Sequence, residues 1–180
     1  MTEPWVSSDT KIWGFDSEDN ILWYPDSTSN ITWDQIWVFD TCYAEYGRIN
    51  SGLLSHTYID NDNKFILSEM NTAPGFCYKF YHWGLPDPNG NYLLRFKGTY
   101  GGSAAHEVVF QLYDWDSTSY TTFLTLPSST FTQNYYANLP NGPQYFDANN
   151  VIQIRVLHVS AGNSGHLLRI NYWKLHEGSI

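Results

Sequence analysis

The chain predicts an all-β fold: an antiparallel β-sandwich of jelly-roll type, with about eight or nine strands and an N-terminal arm of short strands or extended segments. Three observations predict it. Short runs alternate apolar and polar residues with a period of two. Gly, Pro, Asn, Asp and Ser cluster between those runs. No long stretch carries helical periodicity. Aromatic residues make up 18% of the 180 positions and charged residues 15%. That is enough apolar surface to offset the entropy of ordering one domain of this length.

Residues 1–48 read as the arm. Five of the eight tryptophans lie in it: Trp5, Trp13, Trp23, Trp33 and Trp37. The lines KIWGFDSEDN, ILWYPDSTSN and ITWDQIWVFD align at a ten-residue spacing, with Trp13/Trp23, Asp16/Asp26, Ser17/Ser27 and Asn20/Asn30 at matching places in the first two. An apolar run, a polar turn and the next run predict a meander. Charge is also concentrated here. Residues 1–47 hold one basic and nine acidic side chains, whereas residues 48–180 hold eight basic and nine acidic ones. An arm this short cannot bury its indoles alone, so it must pack on the main domain, on a copy of itself or on a partner. The five tryptophans are therefore candidate partner-docking residues, and the charge predicts a basic surface on that partner.

Residues 49–180 read as the sandwich. Residues 48–70 form a strand, a polar turn and a strand, and residues 71–75 a loop. Phe76, Tyr78, Phe80 and His82 then alternate with Cys77, Lys79, Tyr81 and Trp83. After a loop at 84–90, residues 91–115 give a strand, a small-residue linker and a strand, which predicts a hairpin. Two shorter strands follow at 121–126 and 131–139, then a Pro/Gly/Asn-rich connection at 138–150. Residues 151–175 repeat the hairpin pattern. Ile152, Ile154, Val156 and His158 share one face of its first strand. In its second, Leu168, Ile170 and Tyr172 oppose Arg169, Asn171 and Trp173. Both linkers are built from small residues and end in a histidine, His106 and His166.

Several function classes are set aside at this point. A net charge of −9 argues against nucleic-acid binding, which needs a basic footprint. No apolar run is long enough for a membrane helix, and the polar, acidic start lacks the basic and apolar regions of a signal peptide. Two cysteines, Cys42 and Cys77, are too few for a disulfide framework and read as buried free thiols. His106 and His166 are expected to fix their turns by bonding loop carbonyls, and His158 to be a core histidine. No His/Cys spacing suggests a metal, and no cofactor is expected. The sequence Asp60-Asn61-Asp62-Asn63 reads as a turn, since the glycine and glutamate of a calcium loop are missing. The pair Asp114 and Asp116 reads as the start of a turn. Glu69, Glu107, Asp114 and Asp147 form no recognisable acid pair for glycoside hydrolysis. There is no G-x-S-x-G, phosphate-loop or H-E-x-x-H motif, so a non-enzymatic protein is expected. Tyr100, Tyr113, Trp115, Tyr120 and Trp173 are expected on outer faces or loop ends, where rings with a polar handle suit a glycan or a protein interface.

An ordered series of words supports a more specific expectation. Ser51-Gly52-Leu53, Thr72-Ala73-Pro74-Gly75-Phe76, Gly98-Thr99-Tyr100-Gly101-Gly102 with His106, Gln111-Leu112-Tyr113-Asp114-Trp115, and His158-Val159-Ser160-Ala161-Gly162-Asn163 with His166 follow one another along the chain. Over residues 49–176 this resembles a β-sandwich domain of tailed-phage virion proteins, which is similar to galactose-binding-like and carbohydrate-binding jelly rolls. The resemblance implies a virion structural protein, foremost a capsid decoration protein docked on the major capsid protein or another virion protein. It also implies a homo-oligomer, with a trimer as one candidate form. The second function it implies is a head- or tail-fibre or adaptor protein whose carbohydrate-binding module contacts a surface glycan during host adsorption. Ile170-Asn171-Tyr172 departs from the pattern, which places an acid near Asn171.

Overall fold

The computed structural model describes residues 5–6, 12–16, 21–25, 33–60, 62–103 and 106–178, with side chains from residue 37 onward. The fold is all-β, two antiparallel sheets packed face to face, as the alternating runs predict. The first sheet has β9 (Tyr92–Tyr100) and β14 (Leu167–Glu177) at its centre. β12 (Gln133–Asn138) pairs with the far edge of β9. The other edge of β14 is shared. β7 (Phe65–Ser68) takes its first half, and β4 (Trp33–Trp37) takes Leu175 and His176. β6 (Arg48–Ser51) flanks β7. β1 (Trp5–Val6), β2 (Ile12–Asp16) and β3 (Ile21–Pro25) extend from β4 as an antiparallel meander. The second sheet runs β11 (Ser119–Pro127), β10 (Glu107–Asp114), β13 (Ile152–His158), β8 (Phe76–His82) and β5 (Thr41–Tyr46).

Two expected hairpins are not hairpins. β9 and β10 lie in different sheets, and so do β13 and β14. Each small-residue linker is an arch that carries the chain from one layer to the other. Period-two alternation is equally compatible with both arrangements, because a strand shows one apolar face to the core from either layer. The hairpin present in this region is β10–β11. There Asp114 Oδ1 accepts from the backbone N–H groups of Asp116 and Ser117 at 3.0 and 2.9 Å, the turn role expected of that acid.

The inward positions follow the sequence pattern. Phe76, Tyr78 and Phe80 from β8, Ile152, Ile154 and Val156 from β13, and Val108, Phe110 and Leu112 from β10 meet Tyr92, Leu94 and Phe96 from β9. Trp173 is the hub. Its ring lies 4.3 Å from Phe80, 5.0 Å from Phe39, 5.2 Å from Phe110 and 5.7 Å from Phe96, centroid to centroid. This corrects its expected outward placement. A bulge between Ile170 and Tyr172 inserts one residue into β14. One extra residue reverses the in/out parity of everything after it, so Trp173 and Leu175 join Leu168 and Ile170 in the core.

The boundary between arm and sandwich also moves. Trp37, Val38 and Phe39 are 1–3% exposed, Trp37 packs edge-on to Tyr92 at 5.6 Å, and β5 is the edge strand of the second sheet. Residues 37–46 therefore belong to the sandwich. Cys42 and Cys77 are free. They sit on neighbouring strands, but Cys42 pairs with the inward Phe80 whereas Cys77 points outward with Lys79 and Tyr81. Burial pushes both thiols up to about 12.

The arches place His106 and His166 at one end of the sandwich, beside Glu69. Glu69 follows β7 and is 2% exposed. Its carboxylate accepts from Tyr100 Oη, from the Asn163 backbone N–H at 2.7 Å and from His166 Nδ1 at 3.1 Å. His106 Nδ1 lies 3.3 Å from Tyr100 Oη. The histidines thus hold the loops through side chains rather than through loop carbonyls.

Candidate functional site

The outer face of the second sheet carries the side chains that β8, β10, β11, β13 and β5 turn away from the core. Strand register arranges them in rows. Tyr43, Lys79, Arg155, Gln111 and Thr122 lie side by side across all five strands. One pleat along, Tyr81 sits opposite Gln153 and Tyr113 opposite Tyr120. Gln153 joins those two pairs by donating from Nε2 to Tyr120 Oη. Trp83 and Trp115 extend the aromatic row past the ends of β8 and β10.

The polar row is held in place by its own contacts. Arg155 donates from Nε and Nη2 to Gln111 Oε1 at 2.9 and 2.6 Å, and Gln111 Nε2 donates to Thr122 Oγ1 at 2.9 Å. The Arg155 guanidinium carbon lies 3.5 Å from the Tyr120 ring centroid, a cation–π contact. Two of the five guanidinium N–H groups are used in this fork. Lys79 Nζ lies 3.0 Å from Glu45 Oε2. Burial is the largest influence and opposes the lysine's charge, but the hydrogen bond to Glu45 and the electrostatic pull of Tyr120, Glu45 and Cys77 together outweigh it and raise the ammonium above its ordinary value. The same bond, with one from the Cys77 thiol at 3.2 Å, lowers the Glu45 carboxyl. Both charges on this patch therefore persist across the neutral range.

The aromatic row is a platform of several rings. Tyr113 packs edge-on to Trp115 at 4.9 Å and against Tyr120 at 4.8 Å. Tyr81 and Trp83 are nearly parallel, at 21° and 6.3 Å. Trp83 is 45% exposed and Tyr43 60%. Such rings offer flat apolar area at a low cost in side-chain entropy, and the amide and guanidinium groups beside them offer directional hydrogen bonds.

No protein-family model matches the chain, and no curated protein is similar to it in sequence. Its likenesses are to solved structures. It is similar to a family 61 carbohydrate-binding module in complex with β-1,4-galactotriose, at 13% identity and TM-score 0.45 over 78% of this chain and 91% of that one. A CBM4 structure aligns at 13% identity and TM-score 0.47, over 86% of this chain and 92% of its own. The enzymatically active domain of bacteriophage CBA120 tailspike protein 4 aligns at 13% and 0.48, over 77% of this chain and 19% of that chain. Each is a likeness in chain path, at an identity too low to carry residues across.

The structure divides the aromatic residues singled out by sequence. Tyr113, Trp115 and Tyr120 come together on the outer face. Tyr100 and Trp173 do not; they are 0% and 1% exposed. Tyr100 shares the inward parity of Tyr92, Leu94 and Phe96 because β9 runs on to include it. Trp37 is a core residue rather than a docking residue. The side chains of Trp5, Trp13, Trp23 and Trp33 lie outside the described residues. Arg155, Gln111, Gln153, Lys79, Tyr81 and Trp83 complete the site and were not singled out. Their signal was present as the polar half of three alternating runs, but alternation alone does not say which strands are neighbours. Of the four acids weighed for glycoside hydrolysis, Glu69 and Asp114 hold loops in place. Asp147 caps a turn by accepting from the Asn149 and Val151 N–H groups at 2.7 and 2.8 Å. None of these three sits in the rows of the outer face.

Proposed function

We propose that this protein is a non-enzymatic carbohydrate-binding module, and that a glycan lies across the outer face of its five-stranded sheet. The observation that carries the reading is the juxtaposition of the Tyr113–Trp115–Tyr120 platform with the Arg155–Gln111 fork. Sugar rings present apolar C–H faces to flat aromatics and hydroxyl edges to planar donors and acceptors, and this surface offers both within one pleat. A shallow open face fits a chain ligand crossing the strands better than a small molecule enclosed in a cavity. Of the five tryptophans expected to anchor a capsid decoration protein, Trp37 is spent in the core.

A glycan array on the full chain, followed by calorimetry on the best hit, tests the proposal. Saturable binding that is lost in Tyr113→Ala and Arg155→Ala variants supports it. An array without saturable hits, or hits that survive both substitutions, overturns it.

A further inference from the structure

We propose that the end of the sandwich opposite the aromatic platform is a binding site for a divalent transition-metal ion of the zinc type, with Glu69, His106 and His166 as its protein ligands. The two sites are independent. Tyr81, Gln153 and Tyr113 lie at one end of β8, β13 and β10, whereas Phe76, His158 and Glu107 mark the other.

Three separate segments converge to make the site: the residue after β7, the arch from β9 to β10, and the arch from β13 to β14. One ligand atom from each of Glu69, His106 and His166 can be chosen so that all lie within 4.8 Å of one another. A second observation points to a ligand. His158 is 1% exposed, its ring lies 4.5 Å from that of His106, and its Nε2 has no hydrogen-bond partner among the described residues. Its Nδ1 is 2.9 Å from Glu69 Oε1, so a third imidazole faces the same carboxylate. A buried ring nitrogen is rarely left without a partner, and an ion is one of the few explanations for it.

The donor set selects the metal class. Two imidazole nitrogens and one carboxylate oxygen suit zinc and its neighbours. Calcium and magnesium want six or more oxygens. Metal–ligand bonds of about 2.0–2.2 Å would draw the three donors closer together. His106 and His166 are half-buried on loops, where side-chain rotation can bring this about. Tyr100 Oη and the Asn163 N–H already hold the Glu69 carboxylate, the kind of outer contact that orients a metal ligand. Bound there, the ion would staple both arches to β7 and add its binding energy to the stability of the fold.

The test uses the untagged full chain, stripped with a chelator and titrated with Zn²⁺ against a competing chromophoric chelator. One saturable equivalent is expected, with a rise in melting temperature. His106→Ala and His166→Ala should each weaken it by at least about tenfold, and His56→Ala, at a residue that is not one of the three converging ligands, should not. Co²⁺ in place of Zn²⁺ should give the visible absorption of a four-coordinate ion, lost in His166→Ala. Should those variants fail to fold, the wild-type cobalt spectrum and zinc-dependent melting shift decide. No saturable equivalent, no cobalt band, or affinity unchanged in both folded histidine variants would overturn the proposal and leave the cluster as a hydrogen-bonded clasp.

Discussion

Arg155 lies flat on Tyr120, with its guanidinium carbon 3.5 Å from the ring centroid, while its Nε and Nη2 donate to Gln111. Three strands, β13, β11 and β10, are thereby joined on the outer face by one side chain. The contact ties a cation to the aromatic platform and fixes the direction in which its N–H groups point.

That geometry makes Arg155 specific. Replacing it with lysine keeps the charge but loses the planar fork and the stacked face. Arg155→Lys is expected to bind the glycan identified on the array no better than Arg155→Ala, while both keep the wild-type circular dichroism spectrum. Calorimetric affinities that recover in the lysine variant would show that charge alone suffices.

Tyr113 and Trp173 should separate binding from stability. Trp173 is the buried hub of the core, and its replacement by alanine should cost about 3–5 kcal/mol of unfolding free energy. Tyr113 is only partly buried on the outer face, so Tyr113→Ala should lower stability by much less and remove ligand binding. Denaturant unfolding on both variants measures the difference. Equal losses of stability would contradict the assignment of inner and outer faces.

The position of the domain boundary has its own consequence. A chain starting at residue 48 lacks Trp37, Val38, Phe39 and the edge strand β5, whereas one starting at residue 33 keeps them. The shorter chain should lose its cooperative thermal transition and the longer one should retain it. A cooperative transition in the shorter chain would mean that residues 37–46 are dispensable to the core.

Acid stability should be limited by a buried histidine. Burial lowers His82 from 6.5 to about 4, even though Asp40 Oδ2 is 3.7 Å from its Nδ1. The folded state thus holds the neutral ring where the unfolded state would protonate it. Its contribution is complete above the unfolded value of 6.5 and is lost as pH falls towards about 4. The full shift corresponds to roughly 3 kcal/mol. Asp40, raised by burial, acts in the opposite direction at the acid end of this window. Denaturant unfolding between pH 7 and pH 4 should show stability falling with acid, and less steeply in His82→Phe.

The residues legible in sequence were those whose role depends on their own strand. Phe76, Tyr78 and Phe80 were readable as inward because alternation on β8 is unbroken. Asp114 was readable as a turn acid because its partners are two and three residues away. Trp173 was not, because the parity of β14 is reversed by a bulge whose cause lies in pairing with β9. The site shows the same division. Tyr113, Trp115 and Tyr120 were recognisable as ring-bearing outer residues, but the fork that completes them comes from strands 44 residues apart in sequence.

The sequence by itself determined the class of fold, the core faces of most strands and the polar turns, because these follow from a period-two pattern and from residues that act on near neighbours. Only the tertiary structure decided which layer each strand enters. The linkers at 101–106 and 159–166 read as hairpin turns, yet each crosses between sheets, since a strand with one apolar face is satisfied in either layer and the choice rests on pairing with distant strands. That choice set the functional geometry. It gathered Arg155, Gln111 and Tyr120 on one outer face, and it brought Glu69, His106 and His166 together at the opposite end.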